Sequence, residues 1–231
     1  MGAIGGGTQL VGILGWPVEH SFSPRMQNAA FAALDLDWAY VPLPTRPETL
    51  ERAFHGLAAL GFVGANVTAP HKLRVAELCG ASLSSVNTLV VRDGRLEGSS
   101  TDTAVLAELE TERPVVIGDG GAAVAFLDAL PQARCFSRRG DWPPDTRDAD
   151  LIVNATPVRD EVLVEITGNQ TLVDLPYPET VTASAARAAG ARVITGLEVL
   201  VAQGAASFEH WTGQPAPVEV MRQAVGLDRA K

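Results

Sequence analysis

The chain has 231 residues, of which 46% are hydrophobic and 19% charged, and its formal net charge is −9. This length permits one large domain or two small ones. The negative charge argues against nucleic-acid or anionic-membrane partners, which need a cationic surface, although a local basic pocket can still bind an anion. The chain has neither an apolar run of about 20 residues nor a signal-peptide pattern, so we expect a soluble cytoplasmic protein.

The first half alternates short apolar runs with helical patterns, which indicates an α/β fold with mostly parallel sheets. Strands are predicted at residues 10–14, 38–43, 62–67 and 85–92, and helices at 24–34, 47–60 and 72–78. Asp93-Gly94 is a strong hairpin signal, so a strand is expected to return toward residues 98–102.

The second half restarts the pattern with a strand, a glycine turn and an alanine-rich helix. Strands are predicted at residues 114–117, 134–136, 151–153, 171–173 and 192–194, and helices at 122–130, 180–189 and 197–211. Residues 138–148 contain Pro143-Pro144, and the segment is too short and broken for a crossover helix, so an irregular connection is expected. Cys79 and Cys135 have no metal-ligand spacing and are expected to be small buried hydrophobic residues in a reducing compartment.

The glycine turn is a candidate phosphate site. Gly118, Gly120 and Gly121 follow a strand and open a helix at Ala122, so free helical N–H groups could face a pyrophosphate. A tight structural turn is the alternative, and the carboxylate of Asp119 would repel phosphates unless it points outward.

The end of the next strand carries Ser137, Arg138 and Arg139. In a dinucleotide fold this position reads the adenosine ribose, where an acidic residue binds the free 2′-hydroxyl of NAD and arginines accommodate the 2′-phosphate of NADP. The pair therefore predicts NADP, and two solvated surface arginines are the alternative.

Lysine is almost absent from the chain, since only Lys72 and the terminal Lys231 are lysines and the other basic residues are arginines. An arginine can replace a surface lysine, but it cannot replace an amine that must release a proton. Lys72 is therefore a candidate acid–base group, and chance survival of a surface lysine is the alternative.

The chain resembles the shikimate dehydrogenase family along nearly its whole length. The resemblance rests on segments that occur in the family's order and spacing: GWPVEHSFSP at 15–24, NVTAPHK at 66–72, SVNTL at 85–89, GSSTD at 98–102, the glycine turn, NATP at 154–157, DLPY at 174–177, GLEVLVAQGA at 196–205 and FEHWTG at 208–213. The chain departs from the family pattern at four places: Asp119 in the glycine turn, Val158-Arg159 where the family usually has a Gly-Met pair, Val199 where a Met often contacts the nicotinamide ring, and Thr103 where a Gly usually follows the catalytic Asp.

The resemblance implies a role for each matched position. Lys72 and Asp102 would form the catalytic pair, with a plain salt bridge as the alternative. The substrate carboxylate and ring hydroxyls would be bound by Ser21, Ser23, Asn66, Thr68, Asn87, Tyr177 and Gln203. The cofactor would contact Gly118, Gly120, Gly121, Ala122, Ser137, Arg138, Arg139, Thr156 and Gly196. For the serines helix capping is the alternative, and for each Asn a turn hydrogen bond. A bound metal is not expected.

These inferences predict two α/β domains: a substrate domain of residues 1–102 joined by 197–231, and a reduced Rossmann-type NADP domain of residues 103–196. The implied reaction is the NADP-dependent interconversion of 3-dehydroshikimate and shikimate, by a monomer or homodimer. The alternatives are a quinate or shikimate dehydrogenase that uses NAD, and a catalytically silent shikimate sensor.

Overall fold

The computed structural model describes residues 4–80 and 82–227. The chain divides into two compact units: Met1–Thr101 with Val201–Lys231 form the first, and Asp102–Leu200 form the second. That one of them serves the substrate and the other the cofactor stays a prediction.

The first unit is a five-stranded mixed sheet with helices. Its elements before residue 101 are β1 Gln9–Gly15, α1 Ser23–Ala33, β2 Trp38–Pro44, α2 Leu50–Ala59, β3 Phe62–Val67, α3 Lys72–Cys79, β4 Thr88–Arg92 and β5 Arg95–Ser99. The strand order is β2-β1-β3-β4-β5, where β1 pairs in parallel with β2 and β3 while β3-β4 and β4-β5 are antiparallel. The hairpin at Asp93-Gly94 is confirmed, since both residues have the positive φ that such a turn needs.

Two boundaries differ from those predicted in this unit. The strand expected from residue 85 begins only at Thr88, because the preceding backbone bonds elsewhere: Val86 N–H donates to the Lys72 carbonyl. The helix expected from residue 47 begins as a short 3₁₀ turn, Pro47–Thr49, before α2. Two aromatic rings join the N-terminal part of the unit to its C-terminal part, because Phe31 stacks on Phe208 with a centroid distance of 5.3 Å.

The second unit contains an all-parallel sheet. Its elements are β6 Pro114–Ile117, α4 Gly121–Ala129, β7 Arg134–Phe136, β8 Leu151–Asn154, β9 Thr171–Asp174, α5 Val181–Ala188 and β10 Arg192–Ile194. The strand order is β10-β9-β8-β6-β7. From β6 the chain goes to β7 on one side and then to β8 on the other, so β6 and β8 flank the topological switch point at which such sheets bind ligands.

Both faces of this sheet are buried, which explains its continuous apolar strands. Alternate side chains point to opposite faces, so Val115 and Ile152 pack with Ala183 of α5 on one face. Val116 packs with Phe126 of α4 on the other. As predicted, residues 138–148 form turns and irregular backbone.

Two further helices follow the second sheet. The predicted long helix is α6, Gly196–Thr212. A second C-terminal helix, α7 Val218–Ala224, follows within the segment where C-terminal helices were predicted, although its bounds were not. A capping box begins α6: Thr195 N–H donates to Glu198 Oε2 at 2.8 Å, and Glu198 N–H to Thr195 Oγ1 at 3.4 Å. The expectation of two buried cysteines is wrong for Cys135, which is exposed because it lies on the short strand β7 at the sheet edge, and Cys79 is half-buried.

Candidate functional site

Strand β3 carries the first predicted substrate ligand into the interior of the first unit. Asn66 is 4% exposed, and its Oδ1 accepts a hydrogen bond from the Tyr40 hydroxyl at 2.8 Å. Its Nδ2 lies 3.1 Å from the Asn87 carbonyl and 2.9 Å from Ser207 Oγ. The backbone carbonyl can only accept, so this contact fixes which end of the amide carries the NH₂ group. Asn66 is thus anchored within a buried polar network.

The second predicted ligand, Asn87, has an equally defined orientation. Its Oδ1 accepts from the Thr101 backbone N–H at 2.7 Å, and its Nδ2 lies 3.4 Å from Gln203 Oε1 on α6. Because the Thr101 N–H can only donate, the Asn87 oxygen must face it and the NH₂ group must face Gln203. The structure therefore brings together three of the predicted substrate residues, Asn66, Asn87 and Gln203.

Four side chains that were not predicted as site residues hold these amides. Tyr40, Thr88, Thr101 and Ser207 are all buried in the network around them. Thr88 and Thr101 stand beside recognised positions in SVNTL and GSSTD, which is the one signal that could have pointed to them.

The two predicted carboxylate ligands stand at the start of α1. Ser23 is 3% exposed, and its backbone N–H donates to Ser21 Oγ at 3.2 Å. The alternative of helix capping is not borne out for Ser21, because the N-cap of α1 is Phe22 and makes no side-chain capping bond; the bond from Ser23 closes a turn at the start of the helix. It uses only a lone pair of Ser21, and the hydroxyl hydrogen remains as a donor to an anion.

Lys72 is the first residue of α3 and is half-buried. The N-terminal end of a helix is where the peptide dipole disfavours a cation, so helix stabilisation does not explain a lysine here. The turn before it is fixed by His71, which is 2% exposed and whose Nε2 lies 2.7 Å from the Thr45 carbonyl. Since a carbonyl accepts, His71 Nε2 must carry the hydrogen. The backbone carbonyl of Thr68, the predicted ligand three residues earlier, accepts from the His71 backbone N–H at 3.0 Å.

Asp102 and Tyr177 lie in the second unit. Asp102 is 8% exposed and directly follows Thr101, the residue that bonds Asn87. A carboxylate as buried as that of Asp102 is unusual and calls for a partner. Tyr177 is half-buried, and its carbonyl accepts from Arg159 at 3.5 Å.

The glycine turn of the second unit, the predicted phosphate site, leads into the start of α4. Gly118 has φ +133°, and a Cβ there would lie 3.0 Å from the Ala155 carbonyl oxygen across the switch point. Gly120 is the N-cap of α4, has no side-chain capping bond, and a Cβ on it would meet no atom within 4 Å. Gly121 and Ala122 form the first turn of α4, which contains no acidic residue. The helix N-terminus is therefore open to an anion.

The two arginines after β7 are already ion-paired. Arg138 contacts Glu161 and lies over the Trp142 ring, 5.4 Å from its centroid. Arg139 Nε lies 3.7 Å from Asp119 Oδ2, so the carboxylate of the glycine turn faces an arginine. Ser137 closes a tight turn here, donating its N–H to the Asp141 carbonyl at 3.1 Å. The positive charge predicted at this position is thus partly neutralised.

Two acidic side chains also act on Cys135, which lies on β7 next to this turn. Although Cys135 as a whole residue is exposed, partial desolvation of its thiol, followed by the charges of Asp119 and Asp141, raises the pKa of that thiol. Acidic side chains thus influence the same turn that carries the two arginines.

The remaining residues predicted to contact the cofactor, Thr156 and Gly196, follow the ends of β8 and β10. Thr156 is held in a turn by Asn154, whose Oδ1 accepts from the Thr156 N–H at 3.1 Å and from its hydroxyl at 2.8 Å. Asn154 also donates to the buried Asp174 at 2.7 Å, and burial raises the pKa of that carboxyl. Gly196 begins α6 where a Cβ would lie 2.4 Å from the carbonyl oxygens of Leu175 and Pro176. Only glycine allows this close approach.

Among the described residues, no helix is long and apolar enough to cross a membrane. The same residues contain no cluster of three or more His, Cys, Asp or Glu side chains that could hold a metal ion.

Two family models match the chain. The model of the shikimate dehydrogenase substrate binding domain matches residues 13–89. The model of the shikimate 5′-dehydrogenase C-terminal domain matches residues 196–225. The first covers Ser21, Ser23, Asn66, Lys72 and Asn87, and the second begins at the first residue of α6.

Similar proteins cover almost the whole chain. The chain is 40% identical to the shikimate dehydrogenase (NADP(+)) of Anaeromyxobacter sp. (strain K), over 96% of this chain and 97% of the relative. The Aquifex aeolicus shikimate dehydrogenase structure has a TM-score of 0.83 at 29% identity and covers 97% of this chain and 100% of its own. The Thermus thermophilus shikimate 5-dehydrogenase, solved with NADP(H) and shikimate, has a TM-score of 0.80 at 29% identity, covering 94% and 98%. The predicted resemblance and α/β fold class are confirmed.

Proposed function

Because the chain belongs to the shikimate dehydrogenase family, we propose that it is an NADP-dependent shikimate dehydrogenase. The reaction is the reversible reduction of 3-dehydroshikimate to shikimate. The observation that carries the proposal is the 40% identity, over 96% of the chain, to a relative named as an NADP-dependent shikimate dehydrogenase.

Lys72 and Asp102 are proposed as the acid–base pair. Ketone reduction needs a hydride on carbon, which bound NADPH supplies, and a proton on oxygen. Lys72 gives that proton to the oxygen and takes it back in the oxidation direction, while Asp102 orients the ammonium and the hydroxyl. The placement of Lys72 at the cation-disfavouring end of α3 supports this role over a structural one.

The substrate contacts follow from the donors available. Ser21 and Ser23 donate to the carboxylate, and the amides of Asn87 and Gln203 bind ring hydroxyls. The anchored geometry of Asn66 supports a role in fixing Asn87, in addition to any direct contact with substrate. Two hydroxyl groups complete the proposed pocket, those of Thr68 and Tyr177.

The residues around the glycine turn fit a dinucleotide. Gly118, Gly120, Gly121 and Ala122 would hold the pyrophosphate at the start of α4. The uncapped helix end and the open space at Gly120 support this fit. The adenosine and nicotinamide ends would contact Ser137, Arg138, Arg139, Thr156 and Gly196.

Turnover with either cofactor tests the proposal. Shikimate is mixed with NADP or NAD, and the rise of the reduced-nicotinamide absorbance band is followed. Faster turnover with NADP is the expected result. A clear preference for NAD would instead favour the alternative of an NAD-dependent quinate or shikimate dehydrogenase. Saturable shikimate binding without turnover would leave the silent sensor as the better interpretation.

Removing the charge of Asp119 is expected to strengthen NADP binding selectively. Asp119→Asn frees Arg139 from its ion pair, and exposed pairs are worth up to about 1 kcal/mol, so the NADP Kd should fall by about threefold. The NAD Kd should stay unchanged, as measured by calorimetry at low salt. Asp128→Asn, an exposed charge at the far end of α4, is the matched control. An equal gain for NADP and NAD would show that Asp119 acts on the pyrophosphate and not through Arg139.

Small molecules are the partners that this proposal requires. The net charge of −9 continues to argue against a nucleic-acid partner. The cytoplasmic location and the monomeric or homodimeric state stay predictions.

A further inference from the structure

Three hydroxyl groups form a buried triangle between the two anchored amides of the first unit. Thr88 Oγ1, Thr101 Oγ1 and Ser207 Oγ lie within 2.9–3.1 Å of one another. Their residues are 0%, 4% and 0% exposed. They come from β4, from the segment after β5 and from α6, so this hydroxyl triangle joins three separate parts of the unit.

Two amide NH₂ groups donate hydrogen bonds to the triangle, and two of its hydroxyl groups donate to acceptors outside it. Asn66 Nδ2 donates to Ser207 at 2.9 Å, and Asn87 Nδ2 lies 3.0 Å from Thr101 Oγ1. In the other direction Thr88 Oγ1 donates to Asn87 Oδ1 at 3.0 Å, and Ser207 Oγ donates to the Gln203 carbonyl at 2.9 Å. Each hydroxyl has one hydrogen, so Thr88 shares its hydrogen between Asn87 Oδ1 and Ser207 Oγ, because Ser207 already donates to the Gln203 carbonyl. Buried networks of this kind are costly when one member is removed.

The triangle determines which end of Asn87 is presented to a ligand. With the Asn87 oxygen held by the Thr101 N–H and by the triangle, a flipped amide would set an NH₂ group against an N–H donor. The Asn87 amide therefore has one orientation, in which its NH₂ group faces Gln203. A ligand at this amide would be recognised through a ligand oxygen that accepts a hydrogen bond from the Asn87 NH₂ group.

We propose that Ser207 is a positioning residue for substrate, acting through Asn87 and Gln203. It supports the amide network on one side and, through its bond to the Gln203 carbonyl, the turn of α6 that carries Gln203 on the other. This inference rests on the proposed function, because it takes Asn87 and Gln203 to be substrate ligands. Ser207 itself is fully buried and is not assigned a contact with substrate.

A serine that bonds the carbonyl four residues earlier is common in helices and by itself indicates nothing about function. The same helix supplies the comparison: Thr212 Oγ1 donates to the Phe208 carbonyl at 2.9 Å, also four residues earlier. Its other bonds are with Gln214, away from the amide network. Thr212→Val thus removes an equivalent backbone bond without touching Asn66 or Asn87.

The experiment compares Ser207→Ala with Thr212→Val in the full-length protein. For Ser207→Ala we expect the KM for shikimate to rise about tenfold, while kcat and the KM for NADP stay within about threefold of the parent. Calorimetric titration with shikimate alone should show the same loss of affinity. Thr212→Val should leave all three quantities unchanged. Ser207→Cys, which keeps the volume but bonds weakly, should shift the KM in the same direction and serves if the alanine variant fails to fold.

A double mutant separates positioning from general loosening of the fold. Because the route through Gln203 remains when Asn87 is removed, adding Ser207→Ala to Asn87→Ala should weaken shikimate binding further by about threefold, clearly less than the tenfold effect in the parent. A full tenfold further loss, or a Ser207→Ala KM equal to that of Thr212→Val, overturns the inference. A parent that neither turns over nor binds shikimate refutes the proposed function itself, and this inference with it.

Discussion

Replacing Lys72 by alanine is expected to reduce shikimate oxidation by about a thousandfold, because positioned acid–base groups contribute roughly 10²–10⁴ in rate. Shikimate affinity should fall much less, since the serines and amides assigned to binding remain. Stability should change little, because Lys72 is a half-buried first residue of α3 and alanine is compatible with that position. The measurements are kcat with saturating NADP, shikimate binding by calorimetry, and the melting temperature.

Lys72→Arg is the sharper version of this test. It keeps the positive charge but cannot release a proton at ordinary pH, so it should be nearly as inactive as the alanine variant. A small primary amine added to Lys72→Ala should restore part of the rate, because it can occupy the space left by the side chain and transfer the proton. Substantial activity in the arginine variant would show that Lys72 acts by charge alone.

Arg74→Ala provides the matched control. Arg74 lies two residues further along α3 and is exposed, pairing with Glu51 and Glu77. Removing it also deletes one cation from the same helix, yet kcat should remain at the level of the parent. A loss comparable to that of Lys72→Ala would attribute the effect to helix charge and not to proton transfer.

The sequence predicted the elements of the fold well where periodicity is local. The strands around Asn66 and Ile152 and the helix after the glycine turn follow from apolar runs and turn residues read over ten positions. The start of β4 was misplaced because it depends on a bond between Val86 and Lys72, which no local pattern encodes. The bounds of α7 were not predicted, because a helix of seven residues is too short to show a clear helical periodicity.

The candidate site shows the same limit more clearly. Family segments indicated Asn66 and Asn87 as ligands, but not that Asn66 is anchored at both polar atoms of its side chain by neighbours. Its partner Ser207 lies 141 positions away, and Tyr40 lies 26 away. Such pairs are created by packing of the whole unit and leave no periodic trace in the sequence. The pairing of Asp119 with Arg139 is another case, since the sequence indicated only a charge conflict in the glycine turn and the structure supplies its partner.

Replacing Gly64 by alanine is expected to destabilise the protein by about 3 kcal/mol, which combines overpacking of a core with the loss of a buried hydrogen bond. A Cβ on this residue of β3 would lie 2.2 Å from the Leu89 carbonyl oxygen and 2.5 Å from Trp211 Nε1. Those two atoms are themselves joined, because the indole N–H donates to the Leu89 carbonyl at 2.9 Å. The methyl group must therefore push α6 away from the sheet or break that bond.

The melting temperature should fall by about 10 °C, given a shift of roughly 2–4 °C per kcal/mol in a chain of this size. Gly56→Ala is the matched control with the opposite sign: it lies inside α2, where a Cβ would come no closer than 4.0 Å to Leu60 Cδ1. Alanine in a helix interior is favoured over glycine by about 0.5–1 kcal/mol, so this variant should be more stable than the parent. A Gly64→Ala protein as stable as the parent would mean that Trp211 does not pack against Gly64 of β3. Because Trp211 and Ser207 share α6, that result would also remove the structural basis for the hydroxyl triangle.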